Sequence, residues 1–179
     1  MMQEAQPHPT RPMIDDVTRM PMRKLLLLVA CQTVALALIL GVSGVLEGGL
    51  SFVHTLLVPP LVTFVLLVAQ PGLPGSRPLR VLGAYVVAGI FGIGLSILPL
   101  PGTVLGVVAG AITLFLFYIL GVFHAPAFAV PFAAIMAGYA LSDAPKAFGI
   151  LMIYTVLVIG LALATNRLLD YRSYPEKWW

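Results

Sequence analysis

The sequence predicts an all-α, polytopic membrane bundle of about six segments, and three observations carry that prediction. Hydrophobic residues make up 60% of the chain and charged residues only 9%, with a mean hydropathy of +1.02, far outside the range of a soluble domain of this size. Long apolar runs recur along the chain and are separated by short Gly-, Pro- and Ser-containing connections. Strand-length stretches of alternating polarity are missing, so a barrel is excluded and the backbone polar groups must be satisfied within helices.

Taken in order, residues 1–24 mix charged and amide side chains with Pro7, Pro9, Pro12 and Pro21; they cannot bury a core and read as a cytoplasmic tail. Residues 25–179 read as one transmembrane domain with a short basic C-terminal tail. The first run, 25–46, carries no charge until Glu47. It exceeds a signal-peptide core and is expected to remain as a helix. Further segments are expected at 51–69, interrupted by Pro59 and Pro60, at 81–98, at 103–123, at 125–141 and at 147–165. Between them "QPGLPGSRPLR", "PLPG" and "SDAPK" supply the turns.

Basic residues set the expected orientation. Arg11, Arg19, Arg23 and Lys24 precede the first segment, Arg77 and Arg80 follow the second, and Arg167, Arg172 and Lys177 follow the last. All three clusters fit one side only if the number of crossings is even, which six satisfies, placing both termini on the cytoplasmic face of the inner membrane. Lys146 falls on the other side, accompanied by Asp143. The net charge of +3 is accounted for by these orienting residues, so the expected partner is the lipid bilayer and not a nucleic acid.

Six segments divide as three plus three. Displacing the chain by 66 positions pairs Pro60 with Pro126, Gly83 with Gly149 and the trio Ile93, Gly94, Leu95 with Ile159, Gly160, Leu161. Two three-segment halves would be inverted in the membrane, an arrangement common in transporters. The second and fifth segments would then be the proline-broken middle helices. By depth Pro131 is the preferred counterpart of Pro59 and Pro60, although the displacement selects Pro126. A proline within a helix frees carbonyls, here those of Thr55, Leu56 and Ala127, and such breaks can face a polar path.

Among polar groups, His54 and His124 are the histidines outside the tail, and an intramembrane titratable group defaults to a functional hypothesis. His124, at the start of the fifth segment, is expected near headgroup level. Arg77 and Arg80 could attract an anion, and Glu47 lies at the outer end of the first segment. Cys31 is the single cysteine, so neither an internal disulfide nor a Cys-based metal set is expected. No catalytic grouping or phosphate loop is present; no cofactor, no metal and no enzymatic activity are expected. Glycines such as Gly89 and Gly92 in "GIFGIG" and its neighbourhood suit close helix contact.

Three stretches resemble a known family. "PPLVTFVLLVAQPGLPGSRPLRVLGAY" is similar to the Pro-led segment, polar loop and Gly-containing helix of the HPP family of integral membrane proteins. "HAPAFAVPFAA" stands at the place of its His-Pro-Pro segment, and "ATNRLLDYRSYPEKWW" is similar to its closing Asn, Arg, Tyr-Pro and Trp pattern. Residue by residue, His124 and Pro126 take the first and third motif positions, with Ala125 in place of the middle proline. The resemblance implies a membrane transport role, nitrite having been proposed for plastid and cyanobacterial members. A weaker likeness joins "VLLVAQPGLPGSRPLRVLGA" to aromatic-acid exporter membrane domains.

The expectation is therefore a small-solute transporter or channel for an inorganic anion such as nitrite, with a path near Pro59, Pro60, Thr63, His124, Pro126 and Pro131. The alternative is a structural or regulatory membrane subunit that associates with itself or a partner through Gly-rich helices.

Overall fold

A computed structural model describes residues 22–46, 53–169, 174–175 and 177–179. Residues 1–21, Glu47, Arg172 and the side chains of Lys24 and His54 lie outside the described residues. Among the described residues six α-helices follow one another: α1 (Met22–Leu46), α2 (Val53–Ala69), α3 (Pro78–Ser96), α4 (Gly102–Leu120), α5 (Val130–Ala137) and α6 (Ala144–Leu169). Two 3₁₀ turns, Pro74–Ser76 and Ala125–Ala129, precede α3 and α5. Among the described residues every regular element is helical, and α3, α4 and α6 are each long and apolar enough to cross a membrane alone.

Element boundaries follow the chemistry of helix ends. Pro78 opens α3 earlier than hydropathy alone predicts, because a proline in the first turn lacks only a donor that would have no partner there. At the same end of the bundle α4 stops at Gly121, whose φ of 64° places it in the left-handed region, and its N–H returns to Tyr118 O while Val122 N–H bonds Phe117 O. Gly138 closes α5 in the same way, with φ of 64°. Expected breaks at the prolines divide into two kinds. Pro59 and Pro60 lie within α2, which continues through both as one 17-residue helix. Pro126 and Pro131 instead sit in the first turns of the second 3₁₀ turn and of α5. The Ala127 carbonyl, expected to be stranded by Pro131, receives the Val130 N–H within the 3₁₀ turn.

Packing has an internal two-fold pattern. Helix α1 rests on α2 and α6, while α4 rests on α5 and α3; α2 lies against α6 as α5 lies against α3; α3 meets α6, and α2 meets α5. Exchanging α1 with α4, α2 with α5 and α3 with α6 leaves this description unchanged, as two inverted three-helix halves require. The starts of α3 and α6, Pro78 and Ala144, are related by the same 66-position displacement read from the sequence. That register makes Pro126 the counterpart of Pro60, and the depth-based pairing with Pro131 gives way to it.

Small residues let neighbouring helices approach, within a half and between the halves. Side chains of α5 lie over the glycines of α4 in antiparallel order: a Cβ on Gly102 would meet Ile135, on Gly106 Phe132, and on Gly110 Phe132 and Phe128. The 3₁₀ turn and α5 thus run back along α4 as a fifth segment. Tighter still, a Cβ on Gly92 would come 2.6 Å from Pro131 Cα, and one on Gly89 would come 3.0 Å from Leu151 and Phe148 side-chain atoms. The glycines expected to mediate association with a partner therefore contact residues of their own chain.

Candidate functional site

The site grows from the connection between α2 and α3. Pro71 has no N–H, so the Leu67 carbonyl lacks its usual intrahelical donor; Asn166 Nδ2 on α6 donates to it at 3.2 Å and to Ala162 O at 2.8 Å. The chain then folds tightly: Leu73 N–H and the Ser76 hydroxyl both donate to Gln70 O, at 3.3 and 2.9 Å. Gly75 comes close to the α4 exit, where an added Cβ would stand 3.0 Å from Phe123 O. This loop presents the Gly75 carbonyl toward the bundle.

His124 meets that carbonyl from the opposite side. After Gly121 the backbone becomes extended, with His124 at φ −141° and ψ 109°, and Phe123 stacks on Tyr118 with ring centroids 5.6 Å apart. The turn directs the His124 ring inward, where the residue is only 3% exposed. Its Nδ1 lies 2.8 Å from Gly75 O and its Nε2 lies 2.8 Å from Thr63 Oγ1. Thr63 Oγ1 in turn lies 2.7 Å from Tyr85 Oη, and Thr63 and Tyr85 are fully buried. Four elements thus converge through one chain of hydrogen bonds.

Donor directions in that chain are fixed by chemistry. A carbonyl only accepts, so Nδ1 carries hydrogen and donates to Gly75 O. In the neutral ring Nε2 must then accept from the Thr63 hydroxyl, and Thr63 Oγ1 accepts from the Tyr85 hydroxyl. His124 is buried within the protein itself, because α4 ends on a left-handed glycine and the following residues turn back into the bundle.

A cavity of about 510 Å³ opens beside the ring, lined by residues that include Gln70, Ser76, Arg80, Tyr118, His124 and Pro126. Among the described residues no acceptor reaches the buried Arg80 Nε, although a guanidinium is permanently charged and its N–H groups require partners. A second hollow of about 130 Å³ at the same end is lined by Arg77 and Lys177, so among the described residues cationic side chains gather at this end.

The C-terminal stretch braces the cavity wall. The buried Tyr174 hydroxyl donates to Ser76 O at 2.9 Å, Arg77 Nη1 donates to Trp179 O at 2.9 Å, and Leu79 N–H donates to Trp178 O at 3.1 Å. Burial pushes the Tyr174 phenol well above its ordinary range, which keeps it protonated and able to donate.

Of the expected site residues, Thr63, His124 and Pro126 come together. Pro59 and Pro60 are buried in α2 about one turn from Thr63, away from the cavity lining. Pro131 packs its backbone on Gly92 instead. Tyr85 was not among the expected residues; its phenol inside the apolar run "VLGAYVVAG" was the signal, five positions beyond Arg80 on one helix. Tyr174 was readable only as part of the closing Tyr-Pro pattern; its partner, a backbone carbonyl remote in sequence, was not. Among the described residues no group of three His, Cys, Asp or Glu could hold a metal ion.

A His-led 3₁₀ turn, a Gln-Pro loop and a closing Tyr-Pro thus meet around one cavity, and the sequence pattern that defines the HPP transmembrane region matches residues 17–175. The chain belongs to the HPP family. It is accordingly a membrane protein, and the apolar outer faces of its helices are the surfaces that meet lipid. No curated protein and no solved structure matches the chain. In this HPP protein the altered motif stands as His124, Ala125 and Pro126: the histidine supplies both ring nitrogens to the site, Ala125 is exposed, and Pro126 is buried against the cavity. The middle motif position thus carries no contact on which the hydrogen-bond chain depends.

Proposed function

We propose that the protein is a transporter, not an enzyme, and that it moves a small inorganic anion such as nitrite across the inner membrane. The single observation that carries this reading is the cavity in which Arg80, with its buried Nε unpartnered among the described residues, and His124 share one wall. A permanent cation at the mouth of a low-dielectric bundle attracts anions, and a partly desolvated guanidinium binds them with directed hydrogen bonds. The basic end that holds the cavity is the cytoplasmic one in this reading, by the distribution of Lys and Arg. Support for movement comes from the paired packing of the halves, since inverted three-helix units can rock about a shared site. Proteoliposomes tested with nitrite, nitrate and chloride are expected to show flux of at least one of them, with Arg80→Gln reducing the rate at least tenfold. Absence of flux for all three would sink the reading.

A further inference from the structure

The hydrogen-bond chain behind the cavity can accept either charge state of His124, and that property has a functional counterpart. Thr63 and Tyr85 carry hydroxyls, each able to donate and to accept. When Nε2 gains a proton it becomes a donor to Thr63 Oγ1; the Thr63 hydroxyl then turns to Tyr85 Oη, which accepts. Both contacts, at 2.8 and 2.7 Å, survive with their directions reversed, the Tyr85 hydrogen then turning away from Thr63. Gly75 O accepts from Nδ1 in either state. A backbone N–H or a Lys ammonium in the place of Thr63 would permit only one state.

What the charged state lacks, among the described residues, is a counter-charge. The groups facing the ring are Thr63 from α2, the Gly75 carbonyl from the loop, Arg80 and Tyr85 from α3, and Tyr118 and Phe123 from the α4 exit. Lys177 lies in the neighbouring hollow and Tyr174 is engaged with Ser76 O. None of the described residues lining the cavity is a carboxylate. A second positive charge beside Arg80 is therefore opposed in the empty cavity and favoured once an anion is present, because charges interact strongly where water is excluded.

Building on the anion-transport reading, we propose that this cavity binds its anion together with a proton: Arg80 contacts the anion, Nε2 of His124 takes one proton from water, and the two leave as a pair. The transported unit is then electroneutral, and the protein is a proton-coupled anion transporter. No heavy-atom bond forms or breaks. The sign follows from linkage: the bound state holds one more proton than the free state, so anion affinity rises as pH falls and is lost as pH rises.

Calorimetric titration of the purified full chain with nitrate or chloride tests this, since both stay ionised near neutral pH and any proton counted belongs to the protein. Two buffers of different ionisation enthalpy give the count. The expected result at pH 7 is close to one proton taken up per anion, with affinity increasing about tenfold per unit fall in pH while that uptake lasts. His124→Gln is expected to bind the anion with no proton uptake and no pH dependence, and Thr63→Val, which removes the acceptor for a protonated Nε2, to reduce the uptake by at least half. Anion binding by the unaltered protein with no proton uptake overturns the coupling and leaves the transport reading in place. Undiminished uptake in both variants also overturns it. Failure of both anions to bind the unaltered protein at any pH between 6 and 8 overturns the transport reading and the coupling together.

Discussion

Helix α2 and the 3₁₀ turn with α5 are the middle segments of the two halves, and each carries two prolines, yet they differ in kind. In α2 the prolines fall inside a helix that continues through them; in the other half they fall in first turns, where a missing N–H removes nothing. Position relative to the helix start, and not depth in the bilayer, decides what a proline does. The consequence for the site is a division of labour. Helix α2 holds Thr63 on a regular scaffold, whereas the interrupted half offers an extended residue, His124, whose ring can reach both the α2 side chain and the loop carbonyl.

The sharpest way to break this comparison is at the contact that holds the interrupted half in place. Gly92→Ala puts a Cβ 2.6 Å from the Pro131 backbone, and is expected to destabilise the protein by about 3 kcal/mol. Gly94→Ala, with nothing within 4 Å of its added Cβ, is the matched control and should change stability by less than about 1 kcal/mol. Equal unfolding midpoints for the two variants in detergent would show that the α3–α5 approach is not a constraint.

Next in size is the link between the two middle segments. Thr63→Val keeps the shape of the side chain but leaves Tyr85 Oη and His124 Nε2 without a mutual partner, an expected loss of about 2 kcal/mol. Nitrogen-15 spectra of the histidine should then show an altered Nε2 signal and an Nδ1 that still carries hydrogen; an unchanged Nε2 signal would refute the bond. Smaller again is Tyr174→Phe, which removes one donor from Ser76 O and is expected to cost about 1 kcal/mol. Flux of nitrate should fall with it if the loop positions the Gly75 carbonyl.

The smallest effect belongs to the proline itself. Pro131→Ala, at the second residue of α5, is expected to shift stability by less than about 1 kcal/mol, well below Gly92→Ala at the same contact. A larger loss than Gly92→Ala would mean that the ring, and not the backbone approach, seats α5.

Much of this architecture is written locally and was legible. Runs without charge announce the helices, and the equal spacing of Pro78 and Ala144 fixes the relation of the halves because insertion length, not packing detail, sets it. Thr63, His124 and Pro126 were readable as polar or breaking residues in apolar surroundings. Their distances were not, since the inward turn of His124 depends on Gly121 adopting a left-handed conformation that hydropathy does not register. Tyr85 was missed because it looks like an ordinary apolar-run aromatic until its hydroxyl finds Thr63, whereas Tyr174 was legible within the closing Tyr-Pro pattern but its role, through a backbone carbonyl 98 positions away, was not. The Gly-rich stretches were legible as contact surfaces, but sequence alone does not say that the contacting residue belongs to the same chain.

The bond from Tyr174 to Ser76 also has a meaning in time. Synthesis proceeds from the amino end, so the loop that forms one wall of the cavity is made long before the side chain that braces it. Helices α2 and α3 can insert while Ser76 O still faces water or headgroups, and α6 must follow before Tyr174 can arrive. The cavity is thus among the last parts of the molecule to acquire its final form. A chain clipped just ahead of this tyrosine would carry all six described helices and an unbraced wall.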